Sequence, residues 1–179
     1  MNPDTITRAL RFAAEAHHGQ RFPGTELPYF MHLTQVAAEV QVALLAEPAD
    51  DGELSVLCAI LHDTIEDTDT THADVAAAFG VTVADGVDAL SKRPGLEKSA
   101  AMADSLRRIR QQSHAVWKVK LADRICNLQA PPHYWSREKA LRYREEARDI
   151  LAALQDASPV LAARLAARIE RYALSLIHI

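Results

Sequence analysis

Apolar residues recur at helical spacing along most of the chain, and β-branched runs are short. Ile6, Leu10 and Ala13 share one face of a first helix, which Asp4 can cap. The stretch "HHGQRFPGTELP" breaks that helix with glycine and proline. From residue 30 to about 45, Leu33, Val36, Ala37, Val40 and Leu44 form one stripe of a second helix. "EPADDG" is a turn, and residues 54 to about 66 form a mostly apolar, hence central, helix. A short helix over 71–79 stops at Gly80, and another follows to about 90. "SKRPGLEKS" reads as a loop, with helices expected over about 100–112 and 115–129. After the interruption "APPHYW", Ser136 can cap a long helix to about 154. Ser158 with Pro159 opens the last helix. No repeat, low-complexity tract or linker divides the pattern, so residues 1–179 are expected to form a single all-α bundle. The terminal "LSLIHI" (174–179) has no polar face; it either continues the last helix into a partner or is a non-native extension.

Composition narrows the class. With 179 residues the chain can bury a full core, and 49% hydrophobic with 25% charged residues is ordinary for a soluble globular protein. A net charge of −4 argues against electrostatic binding to nucleic acid but not against a small anionic substrate, which needs only a local basic patch. Cys58 and Cys126 belong to no C-x-x-C pair, which argues against a disulfide scaffold or a zinc knuckle. No apolar run reaches the roughly 18 residues of a membrane span. The N-terminus "MNPDTITRAL" lacks the layout of a signal peptide. The expectation is a cytoplasmic protein with no nucleic-acid or membrane partner.

One stretch does not fit a plain bundle. "LHDTIEDTDT" places Asp63, Glu66, Asp67 and Asp69 within seven residues, directly after His62 and at the end of a buried element. Like charges repel there, and acids at a helix C-terminus also oppose the macrodipole. His62 with Glu66, and Asp63 with Asp67, are i,i+4 pairs on neighbouring stripes. A cation beyond the helix end would offset the repulsion. Further ligands are available in His32 of "PYFMH" and Asp123 of "KVKLADRICNL". Two imidazoles and two carboxylates suit a borderline-hard divalent ion such as Mn²⁺, Fe²⁺ or Zn²⁺. The bland alternative is a satisfied core histidine at 62 and an Asp123 paired with Arg124 or Lys120. Asp69 is expected to be a solvated loop residue.

The blocks "AHHGQRFPGTELPYFMH", "AILHDTIEDTDTT", "FGVTVADGVDALSK" and "VKLADRICNL" resemble, in order, the motifs of the HD-domain hydrolases of the RelA/SpoT-homologue family. The likeness is greatest to the stand-alone small alarmone hydrolases and runs from about residue 10 to 154. It implies an all-α HD fold, one Mn²⁺ ion, and removal of the 3′-pyrophosphate from guanosine tetra- or pentaphosphate. It further implies His32, His62, Asp63 and Asp123 as metal ligands, with Glu66 and Asp67 handling the attacking water. A carboxylate one turn from a ligand is well placed for that work. Lys98 resembles the family lysine near the phosphates. Asn127, on the helix face of Asp123, resembles the asparagine at the ribose and phosphate region. Tyr143 falls where the family has a tyrosine beside the substrate, and Arg124 reads as structural.

One departure bears on specificity. The family usually carries an Arg-Lys pair after "GQ", facing the nucleobase. Here the loop reads "GQRFPG", so Arg21 stands for the arginine while Phe22 or Pro23 takes the lysine's place. That removes a cation and adds a stacking face. It favours, as alternatives, a phosphohydrolase acting on NADPH or on a nucleotide 2′- or 3′-phosphate. A non-catalytic nucleotide-binding module is the other alternative, against which the Glu66–Asp67 pair argues. The substrate partner is a small-molecule nucleotide in each case, and the oligomeric state is not legible in the sequence.

Overall fold

A computed structural model describes the chain except residues 50, 132–133 and 176–179; the side chains of residues 98–99 and 174–175 also lie outside the description. Among the described residues the fold is all-α. The helices are α1 (Pro3–Ala16), α2 (Phe30–Ala46), α3 (Gly52–Leu61), α4 (Thr64–Asp67), α5 (His72–Phe79) and α6 (Val81–Leu90). They continue with α7 (Lys98–Ile109), α8 (His114–Asn127), α9 (Arg137–Leu154), a 3-10 turn (Gln155–Ala157) and α10 (Pro159–Ser175). Extended pairing among the described residues is limited to an isolated bridge between Arg21 and Pro28. Among the described residues no helix is long and apolar enough to cross a membrane.

Local chemistry sets most boundaries. The Asn2 side chain, not Asp4, caps α1 by accepting from the Asp4 N–H, with Pro3 in the first turn. Thr71 and Asp74 form a reciprocal capping box on α5. Gly80 ends α5 at a φ of 91°, which glycine adopts without strain. Ser136 caps α9 and Ser158 accepts from the Leu161 N–H at the start of α10. Glu47, beyond α2, accepts from the Ser158 hydroxyl and the Val160 N–H, which ties that start to a distant part of the sequence.

Helices α3 and α8 form the centre. Val56 to Leu61 are all buried, as are Val119, Leu121, Ala122 and Ile125. Helix α8 packs against α2, α3, α9 and α10. The stripe Leu33, Val36, Ala37, Val40 and Leu44 of α2 faces this centre. Each such fully buried large aliphatic side chain contributes roughly 1.5–3 kcal/mol.

The expected single helix over 54–66 is instead two, and the break falls at His62–Asp63. The carbonyls that would continue α3 are taken by side chains. The His62 ring donates from Nδ1 to Ala59 O at 2.9 Å, and Thr64 Oγ1 donates to Leu61 O at 2.7 Å. Such local side-chain bonds compete with the helical ladder. Asp63 thus becomes the N-cap position of α4 rather than the end of α3, which eases the conflict with the α3 dipole. The terminal stretch 174–179 adds two residues to α10, and 176–179 lie outside the described residues.

Candidate metal centre

Three parts of the chain meet at one point. His32 comes from the first turn of α2, His62 and Asp63 from the α3–α4 junction, and Asp123 from α8. One ligating atom from each of His32, His62 and Asp123 lies within 4.8 Å of the others. His32 Nε2 is 3.4 Å from Asp123 Oδ1 and 3.7 Å from Asp63 Oδ2. His62 Nε2 is 3.0 Å from Asp63 Oδ2 and 3.8 Å from Asp123 Oδ1.

The donor set fits a divalent cation. Among the described residues, both ring nitrogens of His32 and Nε2 of His62 are buried without a hydrogen-bond partner. Buried polar atoms are seldom left so. The bond from His62 Nδ1 to Ala59 O keeps a hydrogen on Nδ1 and turns Nε2 toward the carboxylates, the nitrogen left for a cation to take. Asp123 does pair with Lys120, but through Oδ2 at 3.0 Å. Its Oδ1 faces the histidines and accepts from Asn127 Nδ2. Asp63 Oδ2 accepts from the Tyr29 hydroxyl at 2.6 Å.

Charge in the cluster is strongly coupled. Burial works against a charged His62, but the neighbouring Asp63 carboxylate outweighs it and lifts the ring to about 9. Burial would raise Asp63, yet the His62 ring holds its carboxyl well below the usual range. Burial would raise Asp123 too; Lys120 and the two histidines hold it well below. Burial, then Asp63, pushes the Tyr29 hydroxyl far up, so it remains a donor.

The remaining acids border the cluster. Glu66 accepts from the Lys92 backbone N–H at 2.8 Å and from Lys92 Nζ at 3.0 Å. Burial would lower Lys92, but Glu66 outweighs it and raises the ammonium. Asp67 is exposed at the surface, yet its carboxyl is raised, first by partial desolvation and then by Asp63 and Glu66. Asp69 is exposed.

Two cavities are lined by residues that touch the cluster or its bordering acids, Phe22 and Asn127 in one and Lys92 in the other. One, of about 540 Å³, is lined by Phe22, Asn127, Tyr134, Trp135, Tyr143 and Tyr172 among others. The other, of about 560 Å³, is lined by Lys92, Lys139, Arg142, Trp135 and Tyr143 among others. Trp135 and Tyr143 meet edge to face at 5.2 Å and form the wall between them. Arg124 lies buried beneath, its guanidinium 4.2 Å from the Tyr143 ring centre.

The expected substrate residues fall differently. Phe22 stacks beside His32 at 5.6 Å, and Asn127 and Tyr143 line the first cavity. Arg21 turns back onto Glu26 within its own loop and lines neither cavity. Lys98 opens α7, but its side chain lies outside the described residues. Sequence reasoning missed Tyr29 and Trp135. Tyr29 meets Asp63 across 34 positions, which no local spacing announces. Trp135 is visible in the sequence only as an aromatic in the interrupting "APPHYW".

A family model described as HD domain matches residues 9–161. The guanosine-3′,5′-bis(diphosphate) 3′-pyrophosphohydrolase of Danio rerio is 31% identical over 166 residues, 89% of this chain and 89% of that protein. The enzyme of the same name from Aquifex aeolicus is 33% identical over 84% of the chain. A GTP pyrophosphokinase of Myxococcus xanthus is 36% identical over 84% of the chain. The chain spans about a fifth of each of these last two, at 21% and 20%. A solved structure described as a metazoan ortholog of SpoT that hydrolyzes ppGpp superposes with a TM-score of 0.83 at 27% identity, covering 96% of this chain and 97% of that one.

Proposed function

This chain belongs to the HD-domain family, and we propose that it is a metal-dependent 3′-pyrophosphohydrolase of guanosine tetra- and pentaphosphate. The observation that carries the reading is the buried pair of imidazoles with open Nε2 atoms, facing two carboxylates and bordered by Glu66 and Asp67. The activity for which the Danio rerio relative is named supports the substrate.

In this reading His32, His62, Asp63 and Asp123 hold one divalent ion, Mn²⁺. When bound, the ion supplies a water of lowered pKa and a Lewis acid for the phosphoryl oxygens. The residues do the rest. Asp67, raised by partial desolvation and by its acidic neighbours, is suited to take the proton of the attacking water. Glu66, held by Lys92, orients that water. Attack at the phosphorus on the ribose 3′-oxygen breaks that P–O bond and releases pyrophosphate, and the 3′-oxygen leaves as the hydroxyl with the proton that Asp67 took from the water. Asn127, fixed by Asp123, and Tyr143, fixed by Arg124, border the ribose and phosphates. Lys98 is assigned to the phosphates and Arg21 to the base end. Cys58 and Cys126 stay outside the chemistry: both are buried and form no disulfide, and burial lifts each thiol to about 12. The expected compartment is the cytoplasm.

One observation favours a second reading. The cavity beside the cluster presents Phe22 and other aromatic rings, while Arg21 is engaged by Glu26. A pocket of π-faces accepts any purine, so NADPH or a nucleotide 2′- or 3′-phosphate is the competing substrate. Phosphate and pyrophosphate release from a panel of these nucleotides with Mn²⁺ decides between the two. Pyrophosphate from guanosine 3′,5′-bis(diphosphate) is the expected result. Turnover of NADPH or of a monophosphate alone overturns it.

A further inference from the structure

We propose that His17 and Gln20 are positioning residues that hold α4, the helix carrying Glu66 and Asp67, in register with the metal cluster. The inference rests on the hydrolytic reading above.

The starting point is the smallness of α4. It has four residues, of which only Thr64 is buried. So short a helix has no stability of its own. Glu66 is tied on one side by Lys92. On the other side the Asp67 carbonyl accepts from Gln20 Nε2 at 2.8 Å. Gln20 therefore supplies a partner for one of the carbonyls that a helix end leaves open.

The Gln20 amide is itself oriented. His17 Nδ1 lies 2.8 Å from Gln20 Oε1. Because Nε2 of Gln20 donates to Asp67, Oε1 must accept, and His17 carries its hydrogen on Nδ1. His17 is buried at the end of α1, and its Nε2 lacks a hydrogen-bond partner among the described residues. The side-chain hydrogen bond that His17 does make goes to Gln20, not to a member of the metal cluster.

The same two residues brace the other end of the acid group. The Gln20 carbonyl accepts from the Tyr29 N–H at 3.0 Å. The His17 ring stacks on Tyr29 at 5.0 Å with 23° between planes. Tyr29 in turn donates to Asp63 Oδ2. One glutamine thus joins the metal-facing Asp63, through Tyr29, to the water-handling Asp67. A displacement of about 1 Å between such groups is enough to cost roughly 10²-fold in rate.

The test uses His17→Leu, His17→Asn and Gln20→Ala. Asparagine places an N–H donor near the position of Nδ1, so His17→Asn should recover most of the activity. His17→Leu and Gln20→Ala should lower kcat roughly 10–100-fold. In Gln20→Ala, which keeps the main-chain carbonyl that accepts from Tyr29, KM and Mn²⁺ affinity should stay within about twofold of wild type, because the Gln20 side chain is no proposed ligand and lines neither cavity. Hydrogen exchange should quicken at the amides of residues 64–68 in His17→Leu and Gln20→Ala and return toward wild type in His17→Asn. Unchanged kcat and exchange in Gln20→Ala, whose partly exposed side chain can be removed without emptying the core, would overturn the proposal. So would a parallel fall in Mn²⁺ affinity in Gln20→Ala, or His17→Asn failing as badly as His17→Leu. A wild-type protein that hydrolyses none of the nucleotides sinks the hydrolytic reading alone, and the exchange measurement still decides this one.

Discussion

Glu66 and Asp63 differ in what surrounds them: Glu66 accepts from the backbone N–H and the ammonium of Lys92, while Asp63 accepts from Tyr29 and faces two imidazoles. That difference separates a water-handling acid from a ligand. The Lys92–Glu66 pair is partly exposed, at 42% and 24%, so its direct worth to stability is about 1 kcal/mol or less. Glu66→Gln keeps the shape and can still accept from Lys92. It should leave the melting temperature and Mn²⁺ affinity nearly unchanged while lowering kcat by roughly 10²–10⁴-fold. A normal kcat removes Glu66 from the chemistry. Phe22 poses the specificity question at the same scale. It borders both His32 and the aromatic cavity. Phe22→Lys restores a cation at that wall, and a gained charged partner is worth about 1–3 kcal/mol of discrimination. The ratio of kcat/KM for guanine over adenine 3′-pyrophosphates should rise roughly 5- to 150-fold, as those energies imply. An unchanged ratio places the base elsewhere.

Helices with a clean apolar stripe are legible in the sequence, because burial of one face is written in its period. Leu33, Val36, Ala37, Val40 and Leu44 are buried as their spacing implies. The break after Leu61 is not legible, since "LCAILHDTIEDT" contains no glycine or proline to announce it. It arises from two side chains, His62 and Thr64, bonding backward to carbonyls. The site is harder still. His32, His62 and Asp123 are brought together by packing between helices, and in the sequence only the order of family motifs, not any spacing, links them. The setting of Arg21 is not legible either: its loop folds back through the Arg21–Pro28 bridge, and the guanidinium meets Glu26. Packing between elements also hides in small residues. A Cβ added to Gly86 of α6 would lie 2.8 Å from Cys58 Sγ on α3 and 3.0 Å from Val116 Cγ2 on α8. Helix propensity favours Gly86→Ala by at most about 1 kcal/mol. The overpacking costs about 1–3 kcal/mol. The variant should therefore unfold at lower urea concentration than wild type, with an unchanged m-value. A stabilised variant would show that α6 can shift outward freely.

At the scale of the molecule, the cluster joins parts of the chain that lie far apart in the sequence. His32 stands at the start of α2, His62 and Asp63 at the α3–α4 junction, and Asp123 near the end of α8. The unfolded chain does not hold these side chains together, so an ion bound there adds its binding free energy to folding. At a free Mn²⁺ concentration 100 times Kd that gain is about 2.7 kcal/mol. For a chain of this size, about 2–4 °C in melting temperature follows from each kcal/mol. Saturating Mn²⁺ should thus raise the melting temperature by roughly 5–10 °C, and a chelator should reverse it. Asp63→Ala removes one carboxylate and leaves two imidazoles facing Asp123; it should abolish both the rise and hydrolysis. Glu66→Gln should show the full rise with its kcat still lowered, which separates holding the ion from using it. A melting temperature indifferent to Mn²⁺, or an equal rise in Asp63→Ala, would remove these four residues as the binding set.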